Sequence, residues 1–210
     1  MKAQTQALTT VLITTVIVGA ASSTYLWGAP KFEKSRSNAQ ISSMEASATD
    51  IYEATKSVSE SGPGTTRTVE LSISQGQVEV NGDEDFIQIE HPSDVSAYTT
   101  NWQLLRGGSL RNATVGKGTD YATGSEPGIV GVRSTDDTAP TDLLYRIDFR
   151  NVRDEDRLER IDLNTIGGQR ANGEVSLTLT NRGTETVTGY EISTGETFEQ
   201  ERTKIEVDLK

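Results

Sequence analysis

Three patterns of apolar and polar positions follow one another along the chain. Between Lys2 and Lys31 no residue is charged, and the apolar part runs from Ala7 to Trp27. As a helix those residues are about 31 Å long, which matches a bilayer core of roughly 30 Å. Tyr25 and Trp27 close the run, where amphipathic rings favour a membrane interface. After Pro30, residues 31–60 hold neither Pro nor Gly, and Ile41, Met44, Ala48, Ile51, Thr55 and Val58 follow a three-four spacing. Glu45, Asp50, Glu53 and Lys56 lie mostly off that stripe, so the segment predicts a one-sided helix. Ser61-Gly62-Pro63-Gly64 ends it. From residue 65 the period changes to two, over 66–74, 77–80, 85–90, 98–105, 143–149, 174–180, 187–193 and 203–209. Turn residues bound each run, as in Asn81-Gly82 and Asn181-Arg182-Gly183, and short strands at this spacing predict an antiparallel β-sandwich or barrel. Residues 106–142 are Gly-rich and read as loop.

The predicted fold class is therefore α+β. Residues 1–3 form a short leader, 4–29 a transmembrane helix, 30–61 an amphipathic helical stalk and 62–210 a β-rich domain. Small and hydroxyl side chains mark two rows along the first helix. Gln6, Thr10 and Thr14 share one face, and Thr15, Gly19 and Ser23 form a second row at four-residue spacing. Such rows let transmembrane helices approach closely and hydrogen-bond to each other.

Charge sharpens the picture of the β-rich part. The chain has 20 basic and 31 acidic residues among 210, a net charge of −11. Residues 63–210 carry 15 of the basic and 26 of the acidic side chains. That balance speaks against nucleic acid, whose partners present a basic footprint. Thirteen Arg outnumber seven Lys. An acidic, Lys-poor surface suits high salt, where self-repulsion is screened and carboxylates hold water.

Candidate chemistry is sparse. With no Cys there is no disulfide, thiol nucleophile or thiolate metal site, and one His rules out a multi-histidine centre. His91 precedes Pro92 at a strand end and offers a poor general base. Asp83-Glu84-Asp85, Asp136-Asp137 and Asp154-Glu155-Asp156 lack the alternation and terminal Glu of a helix-loop-helix calcium site and read as solvated turns. Gly116-Lys117-Gly118 lacks the hydroxyl residue and the earlier Gly of a phosphate loop. The mixed-charge run from Arg150 to Arg157 reads as a solvated loop. Asn112-Ala113-Thr114 is the one Asn-X-Ser/Thr sequon, making Asn112 and Thr114 an N-glycosylation candidate. No catalytic, cofactor-binding or metal-binding residue is predicted, no cofactor is implied, and the chain reads as a non-enzyme.

A short polar leader, an apolar helix, an amphipathic extension and a β head together resemble the archaeal type IV pilin-like proteins, a superfamily that includes archaellins. The likeness is sharpest in Lys2-Ala3-Gln4-Thr5, which resembles a prepilin-peptidase leader junction with cutting between Ala3 and Gln4. The leader is only three residues long, and Leu8 stands where bacterial pilins often have Glu. The acidic, Lys-poor, Thr-rich remainder looks like a haloarchaeal member. The resemblance implies a structural or minor subunit of a cell-surface filament, its helix packed with other pilin-like subunits and its β head outward. It implies a single-pass membrane protein with an exterior C-terminal domain before assembly, and an extracellular filament afterwards.

Other readings of the same residues remain. A secretory signal would use Lys2, the apolar centre and Gly19-Ala20-Ala21-Ser22. A permanently anchored β-sandwich that binds a glycan, surface layer or partner without polymerising needs the same elements as a pilin. A carboxylate hydrolase would need two converging acids. An intact mass separates the first three: a start at Gln4 marks pilin-type processing, a start near Ala21 secretion, and Met1 or Lys2 a plain anchor.

Overall fold

The computed structural model describes residues 2–111, 113–116, 121–154 and 157–210, with the side chains of 2–12, 21, 26–30 and 154 left out. Two compact units divide the chain, Met1–Ile41 and Ser42–Lys210. One helix, α1 (Lys2–Glu60), makes up the first unit and opens the second. In the first unit Ile13, Val16, Ile17 and Val18 are exposed. The Ser23 hydroxyl donates back to the Gly19 carbonyl at 2.9 Å.

The transmembrane expectation is corrected here. Among the described residues no helix is long and apolar enough to cross a membrane. The described side chains of this stretch set Thr14, Thr15, Gly19, Ser22, Ser23 and Thr24 among Ile13, Val16, Ile17 and Val18. The single-pass anchor, the membrane as partner, the exterior location and the later extracellular filament lose their basis. So does packing with other pilin-like subunits through the N-terminal helix, which needs the same apolar span.

In the second unit the expected antiparallel sandwich or barrel is also corrected. The molecule is mostly β, and its strands form one mixed sheet. They are β1 (Thr66–Asn81), β2 (Phe86–Ser93), β3 (Gln103–Arg106), β4 (Ala122–Thr123), β5 (Gly128–Ser134), β6 (Thr141–Phe149), β7 (Val152–Asp154), β8 (Arg157–Gly167), β9 (Arg170–Glu191) and β10 (Thr197–Leu209). Their spatial order is β3-β5-β6-β2-β1-β9-β10-β8-β7-β4. The β10–β8 and β4–β7 pairs are parallel and the others antiparallel. The β9–β10 hairpin lays β10 between β9 and β8 and so creates the long parallel pair.

No second sheet is required, because the 42–60 segment of α1 supplies the covering layer. Met44, Ala48, Ile51, Tyr52, Thr55 and Val58 are buried. Burying a side chain the size of Ile51 contributes about 1.5–3 kcal/mol. Thr55 belongs on this face because its hydroxyl bonds the Ile51 carbonyl of its own helix at 2.8 Å and leaves no polar group unmet. The Tyr52 ring stacks on Phe149 of β6, centroids 6.4 Å apart. At the sheet end of the helix, buried Asn181 of β9 donates to the carbonyls of Val58 at 2.9 Å and Ser61 at 2.6 Å. Val58 lies in the last turn of the helix, where carbonyls lose their i+4 donor and the Ser61 amide reaches this one at 3.3 Å, so Asn181 serves as a cap supplied by another element. Asn181→Ala is expected to cost about 1–3 kcal/mol, read as a lower denaturant midpoint with an unchanged slope.

Four strands, β4, β5, β7 and β8, fall outside the period-two runs of the sequence. β5 lies inside the region that reads as loop, because Gly128, Ile129, Val130, Gly131 and Val132 are all buried and do not alternate. β7 and the start of β8 lie in the mixed-charge run, whose Arg150, Asn151 and Val152 are buried rather than solvated. Between the two halves of β1, Gly76 has φ 99° and a Cβ there would sit 1.9 Å from the Glu90 carbonyl oxygen. Only glycine lets the strand pass that close to β2.

Candidate functional site

A cleft of about 400 Å³ opens where the last turn of α1 meets the sheet. Ser59 and Glu60 come from the helix, 124–127 from the turn after β4, Val152 from β7, Glu159, Arg160 and Ile161 from β8, Thr184 from β9, and Glu201 and Thr203 from β10. The parallel β10–β8 register places Glu159 beside Glu201 and Arg160 beside Arg202. Four carboxylates (Glu60, Glu126, Glu159 and Glu201) share the wall with one guanidinium, Arg160.

Some of these charges are already engaged. Glu126 accepts from the Tyr52 hydroxyl and lies 3.4 Å from Lys56 Nζ. Glu201 meets Arg157 at 3.0 Å. Arg160 is held by Asp85, which is fully buried in the turn between β1 and β2; its Nε donates to the Asp85 carboxylate at 2.8 Å, and a terminal nitrogen donates to the same oxygen. Glu60 is exposed at the C-terminal turn of α1, a turn without a basic residue. Helix carbonyls leave partial negative charge at that end, where a cation is favoured and an anion is not.

Two carboxyls move in opposite directions. The bond from Tyr52, opposed by partial burial and aided by Lys56, holds Glu126 below its ordinary 4.5. A depressed folded value means that Glu126 stabilises the fold above about pH 4.5 and that this contribution fades as pH falls through the lower folded value. Burial raises Asp85 from its ordinary 3.8, against the pull of Arg160 and the Leu163 amide. Glu126→Gln is expected to flatten the loss of stability below about pH 4.5, seen as melting curves that change less with acid than those of the wild type.

The residues singled out in the sequence are elsewhere. Lys2, Ala3, Gln4 and Thr5 of the processing motif lie in α1 with Gln6 and Thr10, and their side chains are outside the description. Thr14, Thr15, Gly19 and Ser23 lie on α1 in the first unit. Of the sequon, Asn112 falls outside the described residues, while Thr114 is exposed and its carbonyl accepts a bond from Arg150. Lys117, Glu155 and Asp156 also fall outside them. His91 is buried with Nδ1 3.1 Å from the Gln75 carbonyl. Among the described residues no three of His, Asp or Glu come together as metal ligands.

None of the cleft side chains was singled out by spacing, because they arrive from four strands, a turn and a helix end. One signal was available: Glu60 is an acid immediately before a helix-ending Ser-Gly-Pro-Gly, where a base is the ordinary choice. No protein-family profile, curated protein or solved structure matches the chain.

Proposed function

We propose that the β-rich domain is a non-catalytic binding module whose cleft accepts a cationic group, in chemical terms a primary ammonium or guanidinium. The observation that supports this most is Glu60. It places a carboxylate at the negative end of α1, in a cleft whose lining also includes Glu159, Glu201, Ser59, Ser125, Thr184 and Thr203. Local rules are broken most often at functional sites, and a bound cation would turn this unfavourable charge into a favourable one. Carboxylates accept charge-assisted bonds from an ammonium, and the hydroxyls complete its coordination.

Spermidine is a suitable probe because it carries several ammonium groups on a flexible apolar stem. Binding is expected to saturate and to weaken as salt rises. Glu60→Gln is expected to weaken it about two- to fivefold, since the carboxylate is exposed. Calorimetric titration checks this, and equal affinity for the wild type and Glu60→Gln would remove the role given to the helix end.

A further inference from the structure

Two Asn-Gly pairs stand in the β-rich unit, Asn81-Gly82 at the β1–β2 turn and Asn172-Gly173 in β9. In such a pair the asparagine amide is open to attack by its own chain, because glycine puts no side chain in the way of the approaching nitrogen. The fold treats the two pairs in opposite ways. Asn81 is half-buried, and its side-chain oxygen accepts the Glu84 amide at 2.9 Å. Gly82 is pressed against β8, where a Cβ would lie 2.7 Å from the Leu163 carbonyl oxygen. Both halves of this pair are held, Asn81 by a hydrogen bond and Gly82 by its contact with a neighbouring strand.

Nothing comparable holds Asn172. β1 pairs with β9 as far as Ile73 opposite Gly173 and resumes with Val78 opposite Ala171, so Asn172 faces the 74–77 bulge with no residue in register. Asn172, Gly173 and Glu174 are exposed, and the Asn172 side-chain amide has no hydrogen-bond partner among the described residues. Gly173 has φ 83°, and a Cβ there would meet nothing within 4 Å. It is also the last residue in register before the break. Freeing its nitrogen therefore opens one pair and not a ladder, the kind of local opening that costs least. We propose that Asn172 is a site of spontaneous covalent modification, at which the chain supplies the nucleophile and water is the co-reactant. The Gly173 backbone nitrogen, its proton taken by hydroxide, attacks Asn172 Cγ. A new carbon–nitrogen bond closes a cyclic imide as the side-chain nitrogen takes up a proton and leaves as ammonia. Water then opens the imide at either carbonyl, giving aspartate or its isomer linked through the β-carboxyl. Each product carries one negative charge more than the amide, next to exposed Glu174.

The test holds the full chain at mildly alkaline pH, in buffer and in parallel in urea, and follows both Asn-Gly peptides by mass spectrometry after digestion. In the folded chain acid is expected at Asn172 about tenfold faster than at Asn81, the ratio that one retained hydrogen bond implies. In urea, where neither turn nor bulge persists, the two pairs should react alike. Asn172→Ser removes the amide at an exposed position. That variant should stay a single species on anion exchange over the period in which the wild type splits into neutral and charged forms. Equal rates at the two pairs in the folded chain, faster reaction at Asn81, or no acid at Asn172 would overturn the proposal. A preference for Asn172 that persists in urea overturns it as well, because neighbouring residues and not the fold would then set the rates. So does an Asn172→Ser chain that splits as the wild type does.

Discussion

Tyr52→Ala is expected to destabilise the second unit by about 3–5 kcal/mol, the usual cost of removing a large aromatic side chain from a core. Tyr52 is 1% exposed and stacks on Phe149, and its hydroxyl bonds Glu126. The substitution therefore opens a cavity under the helix and removes the bond that ties α1 to the 124–127 turn. Tyr52→Phe keeps the ring and loses only that bond, so its cost should be near 1 kcal/mol. Denaturant unfolding of the two variants separates packing from hydrogen bonding. A small effect of Tyr52→Ala would mean that the sheet does not depend on the helix for its core. Since the same turn forms one wall of the cleft, the Ala variant should also lose spermidine binding, whereas Phe should largely retain it.

The second large effect belongs to Asp85. Asp85→Ala leaves the Leu163 amide and the Arg160 guanidinium without their acceptor. Breaking a buried ion pair from one side costs about 3–5 kcal/mol. The Arg160 side chain is 25% exposed, and partial hydration lowers the expected loss to about 2–4 kcal/mol. Replacing the partner as well, in Asp85→Ala with Arg160→Met, is expected to recover part of that loss. Apolar groups of similar volume often substitute for a buried pair without penalty. Urea unfolding of single and double variants gives the coupling directly. Additive losses would show that Asp85 acts through its backbone and Leu163, with Arg160 incidental.

Local periodicity carried much of the β-rich part into view. The runs at 66–74 and 77–80 are one strand, β1, interrupted at Gly76, and the runs at 174–180 and 187–193 are one strand, β9. The stripe from Ile41 to Val58 is buried as its spacing implies. Alternation reports burial on one face, so it passes over β5, where both faces are covered. It also missed β7 and β8, whose Arg153 and Arg160 bond the Tyr121 hydroxyl and the Asp85 carboxylate. Layering was misread for a related reason. Period-two segments say that one face needs a cover, and they are silent on whether a sheet or a helix provides it. In the first unit, length suggested a membrane span, while among the described residues no helix is long and apolar enough to cross a membrane.

The cleft was the least legible feature. Its side chains are separated by up to about 140 positions and converge through β8–β10 pairing and the end of α1. Glu60 alone departs from a local rule, and a departure of one residue points to a place without saying what gathers there. Asp85 was visible as one acid of a turn triplet. Its link to Arg160 depends on the turn reaching β8, which no spacing encodes.

The most direct test of the cleft as a cation site is a residue-resolved NMR titration of the full chain with spermidine. The expected result is a saturable set of shifts confined to Ser59, Glu60, Glu126, Glu159, Arg160 and Thr203. Shifts spread evenly over the acidic surface, rising without saturation, would contradict it.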